Sequence, residues 1–208
     1  MCRELKLFSN KSPFYNLFIQ ETKKIVLIFL LAIFSLSNGF SQTVYYANSL
    51  TGNDSNNGLT PATAKKTFTE VYNTASANDT LDLTGTFTWT DAGEITGFPG
   101  FFINKNIVIR GQGADQTIIQ AHASPDSANE RVFVINYDRI VEIQDLTIRH
   151  GYSPQQNGGG ILLRGNLSIL RCNLTRNSNG TAGNTAGGAI SIQFISMATN
   201  NPKLTVNQ

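Results

Sequence analysis

Cysteine is nearly absent: the 208 residues hold two, Cys2 and Cys172. Cys2 lies in a segment read below as a leader, so Cys172 stands alone in the remainder. An intramolecular disulfide is therefore excluded there, and stability must come from core and backbone pairing. Long hydrophobic runs are missing too. IVLIFLLAIF (Ile25 to Phe34) reaches polar Ser35, Ser37 and Asn38 well short of the roughly 20 apolar residues of a membrane helix. No basic patch, run of like charge or aromatic-basic interleaving occurs, which argues against nucleic acid as a partner. Helical periodicity is confined to one short stretch. That scarcity argues strongly against the sheets in which strands and helices alternate, Rossmann folds and α/β barrels among them.

The amino terminus has the layout of a secretory signal peptide. Lys23 and Lys24 form a basic n-region, the apolar run follows, and small residues at Gly39 and Ser41 suit cleavage after Ser41. Residues 1–41 are assigned to this leader. The stretch before Lys23 is long for an n-region, as expected if the true start lies just upstream of Lys23. No cysteine sits near the cut, which disfavours a lipid anchor. Of the 16 Lys and Arg, 11 lie after Ser41, with 12 of the 14 Asp and Glu. The mature part, 167 residues from Gln42, thus has a net charge of −1, and its length suits a single domain.

What is present is a series of short strands. TVYYANS (Thr43 to Ser49) reads as a strand, followed by the tight polar loop TGNDSNNG. The one helical stripe is Phe68, Val71, Tyr72 and Ala75, at i, i+3, i+4 and i+7. Its expected role is to close the open end of the first coil, where strand edges and core would otherwise face water. Residues 42–79 form this strand, loop and capping helix. From Thr80 to the end of the chain, residues 80–208, the period becomes two: TLDLTGTFTW, FFINKNIVIRG, RVFVI, IVEIQDLTIRHG, GILLRGNLSILRC, AISI and KLTV.

These strands repeat. VEIQDLTIRHG set against LSILRCNLTRN pairs Val141 with Leu167, Ile143 with Ile169, Leu146 with Cys172 and Ile148 with Leu174. Ile107 fits one copy earlier and Leu204 starts the next, at spacings of 34, 26 and 37. Constant coils with loops of varying length predict this pattern. A three-residue step from Ile143 to Leu146 predicts a bend between two short strands. Gly-Gly precedes a strand twice, in GGGILL (Gly158 to Leu163) and GGAISI (Gly187 to Ile192). A β-sandwich also uses short strands and turns, but in-phase apolar columns and the recurring Gly-Gly favour an all-β fold, a right-handed parallel β-helix. Asn, 19 of the 167 mature residues, suits the turns between coils. Five Asn-x-Ser/Thr sequons arise in this composition without implying glycosylation.

VYYANSLTGNDSNNGLTPATAKKTFTEVYNTASANDTLDL resembles the opening of many secreted bacterial right-handed β-helix proteins: a Tyr-containing strand, a Gly-x-Asp-x-x-x-Gly loop and a capping helix. FFINKNIVIRGQGADQTIIQ and the GGGI and GGAI coils are similar to the pectate-lyase-like superfamily, above all its adhesin-like branch with the polymorphic outer-membrane proteins. The leader, ending in Ser-Gln, resembles those of exported Bacteroidetes proteins. The resemblance implies a fold rather than an activity, because the superfamily holds lyases, hydrolases, epimerases and plain surface proteins. It implies export to the outer cell surface or medium of a Gram-negative bacterium. The partner would be an extracellular polysaccharide or a cell-surface receptor, with a membrane involved only through export or a C-terminal anchor. The chain stops in mid-strand, so the solenoid is expected to continue, or to self-associate through its open last rung.

Chemistry is hard to find in these residues. The outward rows read from the alignment are Val108, Glu142, Ser168 and Thr205, then Arg110, Gln144, Leu170 and Asn207; neither stacks two carboxylates nor sets a base among acids. Asp145 aligns with Arg171, expected as a solvated ion pair between coils. His150 reads as a surface residue at a coil corner. His122 sits with Asp126 and Glu130 in a solvated loop. Asn53, Ser55 and Asn57 before Gly58 echo the alternate-ligand spacing of a calcium loop, but Asp54 is the only carboxylate and falls off that register. Cys172, in a column with Leu146, is expected to be buried and inert. No catalytic, cofactor-binding or metal residue is assigned, and the enzymatic alternative is the N-terminal part of a polysaccharide lyase or glycosidase.

Overall fold

A computed structural model of the chain describes residues 20–26, 42–94, 99–154, 158–180, 188–193 and 201–207. It divides into two units, residues 1–41 and 42–208. In the first, residues 20–26 are helical, and Lys24 Nζ donates to Glu21 Oε1 at 2.8 Å. Most of the apolar run and the expected cleavage point after Ser41 lie outside the described residues. Among the described residues no helix is long and apolar enough to cross a membrane.

The second unit is a parallel β-solenoid of about three turns. It opens with β1 (Val44–Asn48), a 3-10 turn (Pro61–Thr63) and α1 (Phe68–Thr74). β2 (Thr80–Thr88) and β3 (Gly100–Ile103) follow, then β4 (Ile107–Arg110), β5 (Thr117–Gln120) and β6 (Arg131–Ile135). The next coil holds β7 (Ile140–Gln144), β8 (Thr147–Arg149), β9 (Tyr152–Ser153) and β10 (Ile161–Leu163). After it come β11 (Asn166–Leu170), β12 (Asn173–Thr175), β13 (Ser178–Asn179), β14 (Ile190–Ile192) and β15 (Lys203–Asn207).

Stacking makes columns. The first runs β1, β2, β4, β7, β11, β15, every pair parallel. The second joins the end of β2 to β5, β8 and β12, and the third joins β3, β6, β10 and β14. Ile107, Val141, Leu167 and Leu204 share one row and Ile109, Ile143, Ile169 and Val206 the next, the register expected from the repeat, buried from β4 to β11 and open to solvent at Val206. Alternation forces this, since a slip by one residue would turn the whole apolar set outward.

Corners need backbone that an extended strand cannot supply. Asp145 (φ 58°), His150 (φ 58°), Arg171 (φ 50°) and Arg176 (φ 51°) occupy the left-handed region at them. The expected bend between Ile143 and Leu146 falls on the first of these. β2 turns its corner within one strand, at Gly85 (φ 96°). Leu81 and Leu83 point inward before it, Phe87 and Trp89 after it, all buried.

The capping helix buries the expected face: Phe68, Val71, Tyr72 and, just past its end, Ala75. Phe68 packs on Trp89, Phe101 and Phe133 at ring separations of 5.4, 4.9 and 5.6 Å. Both ends of the helix are charge-matched, as the macrodipole favours. At the N-terminus Asp54 Oδ1 accepts the N–H groups of Lys66 and Thr67 at 2.8 and 2.9 Å. Glu94 accepts those of Phe68 and Thr69, 2.8 and 2.9 Å; burial nonetheless raises its carboxyl above the ordinary range. At the C-terminus Lys105 Nζ donates to the carbonyls of Tyr72 and Ala75 at 2.8 and 2.7 Å, lying over the Tyr72 ring.

Candidate functional site

The widest outward surface that the described residues build is the outer face of the first column. Adding β1 and β2 extends the rows two rungs earlier than sequence alignment reaches. The central row runs Val44, Thr80, Val108, Glu142, Ser168 and Thr205. The next runs Tyr46, Asp82, Arg110, Gln144, Leu170 and Asn207. Asp82 therefore lies beside Arg110, a base next to an acid that alignment of the later coils alone does not bring together. Arg110 Nε donates to Asp82 Oδ2 at 2.8 Å and Nη2 to the same oxygen, while Gln112 Nε2 donates to Oδ1. The clue in the sequence is TLDL, whose Asp falls in the same phase as the Arg of IVIR; the change of phase at Gly85 hides it.

Beside these rows lies a shallow depression of about 290 Å³, lined by Gln42, Asn78, Asn106, Val108, Ile140 and Glu142. Gln42 Nε2 donates to Thr80 Oγ1 at 2.9 Å and Asn106 Oδ1 accepts the Ile140 N–H at 2.9 Å. Ile140 is 60% exposed. Among the described residues the Glu142 carboxylate has no ionic or hydrogen-bonding partner; the ion pairs there are Lys24–Glu21, Arg110–Asp82 and Arg171–Asp145.

The residues singled out in the sequence take the following places. Arg171 Nε and Nη2 donate to the two Asp145 oxygens at 2.6 and 2.7 Å, the inter-coil pair expected. The bond from Arg171 holds the Asp145 carboxyl below its ordinary range, but the pair stands in solvent and adds little to stability. His150 is a correction. It is 4% exposed, not a surface group. Its Nδ1 lies 3.0 Å from the His122 carbonyl, and among the described residues Nε2 has no partner. The ring lies against the loop that carries His122, a contact between residues distant in sequence that strand alternation cannot foresee. His122 is half-buried in its loop and its Nδ1 accepts the Ser124 N–H at 3.0 Å; Asp126 is exposed.

The polar loop at Thr51 to Gly58 already holds a cation. Lys65, only 6% exposed, donates from Nζ to the carbonyls of Asp54 and Asn56 at 2.9 and 2.8 Å. The Asn53 and Asn57 side chains close turns on the Ser55 and Leu59 N–H groups. The spacing that echoed a calcium loop thus belongs to a lysine-centred turn. Lys65→Met should lose about 2–3 kcal/mol in denaturant unfolding, because two inward carbonyls lose a charged donor. Millimolar calcium or EDTA should leave the wild-type melting temperature in place; a calcium-dependent rise would refute the lysine-centred loop.

Cys172 lies in the column of Leu146, half-buried rather than fully buried, against the core. Its Sγ lies 3.4 Å from the Ile143 and Leu170 carbonyls. Burial pushes the thiol above its ordinary value. The sign follows: the thiolate fraction at neutral pH is smaller than in the unfolded chain, and the matching stability is lost as pH rises through the thiol range. Labelling by a thiol reagent at pH 7.5 should be slow in the folded protein, fast in guanidinium, and should climb at more alkaline pH than a free thiol's.

No family model matches the chain, no curated protein matches it in sequence, and no solved structure matches its fold.

Proposed function

We propose that the chain is an exported right-handed parallel β-helix of the pectate-lyase-like kind, on its adhesin-like side, working as a secreted or surface-displayed module without catalysis. What carries this reading is where the charged groups go. Asp54 and Glu94 cap the helix, Lys65 and Lys105 hold carbonyls, and Asp79 accepts the Thr43 and Ser76 N–H groups. Asp82 and Arg110 hold one another across coils, as do Asp145 and Arg171. These acids and bases maintain the scaffold, whereas a general acid or base must converge on one substrate position. The basic n-region, apolar run and small residues before Gln42 support export.

The enzymatic reading, an N-terminal part of a polysaccharide lyase or glycosidase, is favoured by one observation, the Arg110–Asp82–Gln112 cluster on the outer face. One experiment weighs both. Expressed with a C-terminal tag in a Gram-negative host, the protein should leave the cytoplasm and begin at Gln42 by mass spectrometry. Incubated with acidic and neutral polysaccharides, it should release neither unsaturated products nor reducing ends. Cytoplasmic retention with an intact leader would overturn export. Product release abolished by Arg110→Ala would overturn the non-catalytic reading.

A further inference from the structure

The depression on the first column combines features that the scaffold does not use. Its charge is a single carboxylate, Glu142, with no counter-charge in the lining. The nearest guanidinium along β4, that of Arg110, is turned onto Asp82. Around the carboxylate stand amides with capacity left over. Gln42 has given its N–H to Thr80 and keeps its oxygen; Asn106 has accepted from Ile140 and keeps its NH₂. Among the described residues the Asn78 side chain has no partner. The floor is aliphatic, Val108 and Ile140.

Each group selects a feature of a ligand. The unpaired carboxylate selects a cation, which would form a charge-assisted bond there. Amides offering both donors and acceptors select hydroxyls, which also do both. The aliphatic floor suits the C–H face of a ring. The volume, about 290 Å³, sits at the low end for small-molecule pockets and gives room for a ring-sized unit. A plain alkylammonium would satisfy Glu142 yet leave the amides desolvated and unmatched. A uronate would set its charge against Glu142. We infer that this groove binds a glycan carrying a free primary ammonium, an amino sugar whose nitrogen is not acylated, with Glu142 taking the ammonium and Gln42, Asn78 and Asn106 the hydroxyls. The inference rests on the reading of the chain as an exported binding module and names the ligand class of its outer face.

The rows continue beyond the groove. Ser168 and Thr205 follow Glu142, and Asn166 and then Lys203 follow Ile140. Successive rungs stand about 4.8 Å apart, so a polymer laid along the column meets polar side chains at every rung.

The test uses the mature chain and three probes by calorimetry at low salt: a glucosamine tetrasaccharide, its fully N-acetylated counterpart and tetralysine. Binding of the first is expected, with both others at least about tenfold weaker, the loss that goes with one charged hydrogen bond. Glu142→Gln should weaken the glucosamine oligomer by about tenfold or more with an unchanged melting temperature. Ile140→Ser, at an exposed position, should weaken both saccharides without unfolding the protein. No binding of the glucosamine oligomer overturns the inference, as does equal binding by Glu142→Gln, by the acetylated probe or by tetralysine. Failure of export would sink the proposed function and leave the groove testable. An exported protein that ignores the amino sugar would sink the groove alone, and cleavage of the oligomer would overturn only the non-catalytic reading.

Discussion

Phe68→Ala should destabilise the solenoid by about 3–5 kcal/mol, the range for emptying a fully buried aromatic site. Phe68 is 0% exposed and touches four rings: Tyr72, Trp89, Phe101 and Phe133. Three of those belong to the coils that α1 covers, so the truncation opens a hole where helix meets solenoid. Trp89, the only tryptophan in the chain, lies 5.4 Å from Phe68 and reports the event directly. Guanidinium unfolding followed by its fluorescence should show a lower midpoint, and Phe68→Leu should recover most of the loss. A change under about 1 kcal/mol would mean that the helix does not close the core.

Gly159→Ala should be at least as damaging, by more than about 3 kcal/mol, for a different reason. A methyl group built at Gly159 lands on the Ser178 carbonyl oxygen, with the Gly151 carbonyl close behind. Gly151 belongs to the same coil and Ser178 to the next, and both contacts are backbone, so no side chain can rotate away. The coils would have to part, and the Gly180 N–H to Ser153 carbonyl bond of 2.7 Å would go with them. Gly113→Ala is the control. Its φ is 133°, but the nearest atom, Gln116 Nε2, is 3.9 Å from the added methyl, so only backbone strain of about 1–2 kcal/mol is at stake. A loss at Gly159 no larger than that at Gly113 would show that the close approach of the coils does not explain the Gly-Gly signature.

That signature is plain in the amino-acid letters, whereas its cause lies in the packing. GGGILL announces a coil start; the contact of Gly159 with Ser178 and of Gly160 with the Ala189 carbonyl gives the reason. The second Gly-Gly begins at Gly187, outside the described residues. The row of Ile107, Val141, Leu167 and Leu204 is legible because one face of each strand must be apolar, and apolar character survives in the letters. The helix is legible through Phe68, Val71, Tyr72 and Ala75 for the same reason. Asp82 beside Arg110 is not, because their rows meet only once β2 is threaded into the stack. Nor is Lys65 in its loop, since a lysine eleven residues past Asp54 carries no mark of burial.

The sequence by itself determined the period, the register and the class of fold, because these follow from which residues must avoid water and from the two-residue alternation of a strand. It also marked one bend, through the three-residue step from Ile143 to Leu146, whereas the left-handed corners at Arg171 and Arg176 fall on residues that carry no such mark. Only the tertiary structure decided which polar groups are engaged. His150 is buried against the loop of His122, and the Asp54 carboxylate is taken by the N–H groups of Lys66 and Thr67, twelve and thirteen residues on. Glu142 reads like any outward acid until its neighbours are seen to be amides and aliphatics without a cation. Polar specificity is a property of pairs distant in sequence, and the stacking of coils is what makes the pairs.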